Sequence, residues 1–202
     1  MARRPANKGR TYPAEIPTRD EVGSMMKACS RKAPTGIRNR AIIVVMYRAG
    51  LRCLETLNLK LRDIDRDAGT IRIRRGKGGR PRTVGIDPSA IAVIEQWIAT
   101  RANLGLNGGP VFSTLTGGEL ATSYVRKLLP RLARKAGIDR RIHPHGLRHA
   151  FAVELAREGI PVVIIMRQLG HASLATTTRY LAGLSPEETI QAIRRREWEA
   201  PK

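Results

Sequence analysis

The chain has 202 residues and 42% hydrophobic content, enough for one large domain with a real core, or a domain with a small appendage. Thirty-seven Lys and Arg against seventeen Asp and Glu give a formal charge of +20, far beyond what solubility requires, so a polyanion is the expected partner. Two isolated cysteines, Cys29 and Cys53, argue against a disulfide framework or a zinc site; no long apolar run, signal-peptide core or basic helix with an aromatic face points to a membrane, so a reduced cytoplasmic setting is expected.

Residues 1–17 carry Arg3, Arg4, Lys8 and Arg10, one acid, Glu15, and three prolines that discourage a helix; they read as a flexible basic arm. Thr18 with Glu21 forms a capping box and opens a helix to about Ser30, with Val22, Met25 and Met26 inward. A second helix runs from about Ile37 to Ala49, closed by Gly50; its apolar run Ala41 to Met46 makes it the expected centre of the core. A short helix follows from Leu51, in which Arg52 and Glu55 stand at i and i+3 and can pair.

Alternation over Thr70–Arg75 and again over Arg82–Ile86, with Gly76-Lys77-Gly78-Gly79-Arg80-Pro81 between, predicts a β-hairpin. Arg72, Arg74, Arg75, Arg80 and Arg82 on it are expected to lie along a phosphate backbone, with Lys77 near the tip; such contacts position without reading sequence. Its glycines are not a P-loop, since the Gly-x-x-x-x-Gly-Lys-Ser/Thr order is absent. Asp87-Pro88 caps a helix to about Ala102, a Gly-rich loop and a short extended Val111-Phe112 follow, and a helix from about Thr122 to Ala136 is expected to kink or break at Pro130. Arg126, Lys127 and Arg131 make that helix a second basic surface.

The stretch from His145 to Tyr180 holds the chemistry. Leu147, Phe151 and Leu155 predict a helix over 145–158, with His145 and Arg148 projecting together from a neighbouring face and His143 in the preceding loop. Pro161 starts a second helix that ends at Gly170. Ser173 caps a third, expected to turn Leu174, Thr177, Leu181 and Leu184 inward and Tyr180 towards a cleft. Ser185-Pro186-Glu187-Glu188 opens a terminal helix to Trp198, too small for a core of its own. His145 and His149 at i and i+4 have metal-pair spacing, but the His-Glu-x-x-His pattern is missing, so no metal is expected.

Taken together, Arg52, Lys77, His145, Arg148, His171 and Tyr180 resemble, in order, spacing and local context, the active-site set of the tyrosine recombinases, the family of phage integrases and Xer recombinases. Gly50-Leu51-Arg52 with Glu55 resembles the first arginine box and Gly76-Lys77-Gly78 the lysine turn. His145-Gly146-Leu147-Arg148-His149 resembles the His-x-x-Arg box, Leu169-Gly170-His171 the second histidine, and Tyr180 the nucleophile.

The resemblance covers about residues 18–184 and implies a mainly α-helical catalytic domain with a small antiparallel β-hairpin sheet, an α+β fold, between the arm at 1–17 and a helical tail at 185–202 that docks in cis or in trans. Only about 17 residues precede the first helix of that resemblance, where the family usually has a separate core-binding domain, so the expectation is either a catalytic domain alone or a likeness to the short single-domain members. The implied activity is site-specific cutting and rejoining of double-stranded DNA through a 3′-phosphotyrosine, with no cofactor, ATP or metal. Glu55 and His149 are supporting groups, and the implied assembly is a homotetramer on paired sites, a monomer or dimer away from DNA, with accessory DNA-binding proteins as further partners. A type IB topoisomerase and a DNA-binding regulator without catalysis are the rival readings.

Overall fold

A computed structural model describes residues 16–74, 81–181, 190 and 194. Among the described residues, eight α-helices and three strands follow in the order α1 (Arg19–Ala28), α2 (Pro34–Arg48), α3 (Cys53–Leu57), β1 (Ile64–Asp65), β2 (Thr70–Ile73), β3 (Arg82–Gly85), α4 (Pro88–Asn103), α5 (Thr122–Lys135), α6 (Pro144–Arg157), α7 (Val162–Leu169) and α8 (Leu174–Leu181), with one 3-10 turn at Leu61–Asp63. The expected mainly helical class with a small antiparallel sheet is what is found, and none of the described helices is long and apolar enough to cross a membrane.

Local chemistry sets most of the ends. Thr18 and Glu21 form the expected reciprocal cap on α1, and the Asp87 carboxylate accepts from the Ala90 N–H at 3.0 Å to start α4. His143, expected in a loop, is the N-cap of α6: its Nδ1 accepts from the Gly146 N–H at 3.1 Å, with Pro144 in the first turn. Pro130 neither ends nor interrupts α5. The backbone acceptor that a proline deprives of its partner there belongs to Arg126, an exposed residue whose carbonyl water can satisfy.

Helix α2 is the centre of the core, with Ala41 to Met46 all buried and α4 and α6 packed on it. A buried polar knot ties it to α5: Arg38 donates to the Ser113 carbonyl at 2.7 Å and to the Tyr124 hydroxyl at 2.7 Å, and that hydroxyl donates to the Asn39 Oδ1 at 2.8 Å. The sheet order is β1-β2-β3, antiparallel throughout, with Ile71 opposite Val84 and both side chains buried. Strand β1, only two residues long, was not among the expected elements. Val111 and Phe112 are fully buried bends rather than a strand.

Candidate active site

Two glycine turns and the start of a strand meet where the predicted residues converge. The first is Gly50, at φ +66°, which ends the approach from α2 and presents Arg52 as the N-cap of α3. A side chain at Gly50 would lie 2.5 Å from the Phe151 ring, so the turn needs both the left-handed backbone and the missing Cβ. The second is Gly170, at φ +63°, which ends α7 and delivers His171. The third is the start of β3, which carries Arg82.

Arg148, on α6, is 1% exposed and bridges the first two turns: its two terminal nitrogens donate to the carbonyls of Gly50 and Leu169. Each of those nitrogens carries a second N–H, so the same fork can hold the turns and face an anion. Arg52 donates through its backbone N–H to Glu55 Oε2 at 2.9 Å and through one terminal nitrogen to Oε1 at 2.7 Å, the expected i, i+3 pair. Arg52, Arg148 and His145 line one cleft of about 440 Å³ together with Cys53 and Arg126. His145 is exposed at the start of α6. Although the residue as a whole is exposed, partial desolvation of the ring and then the positive charges of Arg148 and its neighbours lower its pKa, which favours the neutral form.

His171 lies between α7 and α8, its Nδ1 3.0 Å from the buried Thr177 Oγ1. Desolvation, followed by the charges of Arg148 and Arg52, lowers its pKa to about 4. A neutral imidazole can offer a proton to a phosphate oxygen through Nε2 only if Nδ1 accepts, which makes the Thr177 hydroxyl the donor in that state. Thr177 therefore does more than fill the core, the role its spacing suggested. Leu174, also expected inward, is 48% exposed.

Glu55 is buried, and its carboxylate takes more than Arg52. Arg82 donates to Oε1 at 2.9 Å and to Oε2 at 2.8 Å, a two-pronged pair. Burial alone would raise the Glu55 pKa, but the hydrogen bonds from Arg82 and the Arg52 backbone hold it at about 2. Arg82 was expected as an exposed phosphate contact; its side chain is 13% exposed and turned inward. Arg74, expected in the same role, is half-exposed and paired to Asp63 at 2.5 Å. Arg72 on β2 and Arg126, Lys127 and Arg131 on α5 are exposed.

Gln168 was not singled out from the sequence. Its side-chain amide accepts from the Gly85 N–H at 3.0 Å and donates to the Gly85 carbonyl at 2.8 Å, pairing α7 to β3 as a strand neighbour would. His149 is buried one residue after Arg148. Lys77, Arg75 and Arg80 lie outside the described residues, as does the tail from Ser185 to Trp198 apart from Ile190 and Arg194. Tyr180 belongs to α8, whose backbone packs on α6 and α7; its side chain lies outside the described part.

Residues 16–185 match the phage integrase family. The chain is 33% identical over 177 residues to the tyrosine recombinase XerC of Serratia marcescens, covering 88% of this chain and 57% of that protein. It is 34% identical over 185 residues to the tyrosine recombinase XerD of Mycobacterium tuberculosis, covering 88% and 59%. It thus spans less than two thirds of either relative. Among solved structures, the XerA recombinase superposes with a TM-score of 0.80 at 28% identity, covering 97% of this chain and 70% of that one. The XerH site-specific recombinase, in a post-cleavage complex with palindromic difH substrate, superposes with 0.74 at 26% identity, covering 90% and 53%.

Proposed function

The chain belongs to the phage integrase family, the tyrosine recombinases, and on that premise we propose that it is a site-specific recombinase that breaks and rejoins double-stranded DNA through Tyr180. The phenolic oxygen attacks the scissile phosphorus as the bond to the 5′ oxygen breaks, giving a 3′-phosphotyrosine and a free 5′ hydroxyl. His145 takes the phenol proton, and Lys77 supplies the proton that the departing 5′ oxygen needs. Arg52 and Arg148 grip the non-bridging oxygens, where negative charge grows in the transition state, and His171 adds a neutral donor. Rejoining is the reverse attack by a 5′ hydroxyl, so the ester bond energy is kept and the scheme uses neither ATP nor a metal.

The observation that carries this reading is that Arg52, Arg148 and His145 line one cleft, with the charges of Arg148 and Arg52 also acting on His171 and α8, which bears Tyr180, starting three residues after it. Residues 18–184 are the catalytic unit in this scheme, 1–17 a basic arm on the DNA, and 185–202 a helix docked on this molecule or its neighbour in a tetramer on paired sites. The DNA complexes of the XerH relative support the substrate class. The protein would act in the cytoplasm, at the nucleoid.

The test is a nicked suicide duplex that loses the strand beyond the cut. Wild-type protein should accumulate a covalent protein–DNA adduct resistant to denaturation, and Tyr180→Phe none. Equal adduct from both would remove Tyr180 from the mechanism.

A further inference from the structure

Arg82 stands between the Glu55 carboxylate and the Gly170 turn. Its fork occupies both oxygens of Glu55, at 2.9 and 2.8 Å, and its side chain crosses Gly170 so closely that a Cβ there would meet its Cδ and Nε at 2.7 Å. Arg52 shares the same carboxylate through one side-chain bond and reaches the Gly170 carbonyl at 3.5 Å with its other terminal nitrogen. Two guanidiniums and one carboxylate leave one net positive charge in this buried cluster. Without Arg82, Glu55 would face Arg52 alone, the pair would sum to zero, and both terminal nitrogens of Arg52 could close on the carboxylate.

We propose that Arg82 is a positioning residue for phosphate activation: it neutralises Glu55, so that Arg52 keeps an uncompensated charge and an open edge for the scissile phosphate. Arg82 does not touch the phosphate itself. It acts through Arg52, and its place at Gly170 lets the same side chain brace the turn that delivers His171. The proposal rests on the recombinase reading above and concerns the same site. A low-dielectric surrounding makes the charge balance matter, because a nearby carboxylate cancels a guanidinium far more completely there than in water.

The experiment measures covalent adduct on the suicide duplex for wild type, Arg82→Gln, Arg82→Lys and the double variant Glu55→Gln/Arg82→Gln, with thermal unfolding of each. Arg82→Gln should lose tenfold or more in cleavage rate while DNA binding stays within about threefold. The double variant, in which Arg52 no longer faces a carboxylate, should regain at least threefold over Arg82→Gln, a recovery that a merely structural role would not give. Cleavage by Arg82→Gln within threefold of wild type would overturn the proposal, as would a double variant no faster than the single one. Should Arg82→Gln fail to fold, Arg82→Lys decides: charge balance requires cleavage within about tenfold of wild type, and a greater loss in folded protein overturns it. Absence of adduct in wild type would instead remove the recombinase reading.

Discussion

A half-buried imidazole that feels two guanidiniums has a consequence that stability can report. His171 has a pKa of about 4 in the folded protein against an ordinary value of 6.5, because burial and then Arg148 and Arg52 disfavour its cation. Between those values the unfolded chain binds more protons than the folded one, so protonation favours unfolding. The stability tied to neutral His171 is whole above about pH 6.5 and is lost as the pH falls towards 4, by up to about 3 kcal/mol at 1.36 kcal/mol per unit. Glu55 works in the same direction at lower pH: its folded value of about 2 lies below the ordinary 4.5, so its contribution begins to fall near pH 4.5 and is spent near 2. Urea unfolding of wild type and His171→Asn from pH 8 to 4 separates the two. Wild type should lose more stability than the variant between pH 6.5 and 4; parallel losses would mean that this imidazole is not the depressed group. In the DNA complex a phosphate beside the ring would offset the two arginines, so binding should raise its pKa.

Elements whose signals are short-range were readable in advance, and those defined by distant partners were not. Thr18 with Glu21, Asp87 with Pro88, Gly50 and Gly170 each set a helix end through groups within a few residues, and each stands where its residue type implied. Strand β1 escaped because two residues carry no period; it exists only because β2 pairs with it. Arg82 escaped because alternation distinguishes the two faces of a strand but cannot reveal that an arginine has a buried acid waiting 27 residues earlier. His143 was missed as a cap because the neighbouring histidines drew the functional reading, although His before Pro is compatible with an N-cap. Gly50 offers the clearest test at this scale, since its φ of +66° and the 2.5 Å approach of Phe151 penalise any side chain. Gly50→Ala should lower stability by about 3 kcal/mol from backbone strain and overpacking together. It should also loosen Arg148, which holds the Gly50 carbonyl. A urea midpoint unchanged from wild type would show that the turn can relax.

Over the whole molecule, the +20 charge does not act as one pool. Arg82 and Arg74 are committed to Glu55 and Asp63, Arg48 to Asp87 and Glu154, and Arg140 to Glu21. Arg126, Lys127 and Arg131 differ: they are exposed on α5, none of them forms an ion pair among the described residues, and Arg126 lines the same cleft as Arg52 and Arg148. A polyanion laid across that cleft would meet α5 beside the proposed catalytic groups, each cation displacing about one condensed counterion from a phosphate. The logarithm of the binding constant should therefore fall steeply and linearly with the logarithm of salt concentration. Replacing Arg126, Lys127 and Arg131 together by Gln should make that slope shallower by about 3, since each phosphate contact contributes about 0.9. Arg74→Gln should leave it nearly unchanged, because that charge is already spent on Asp63. Fluorescence anisotropy on a labelled duplex from 50 to about 300 mM salt would measure all three slopes. An equal change in both variants would mean that the DNA meets the β-sheet face as much as α5, and would move the interface accordingly.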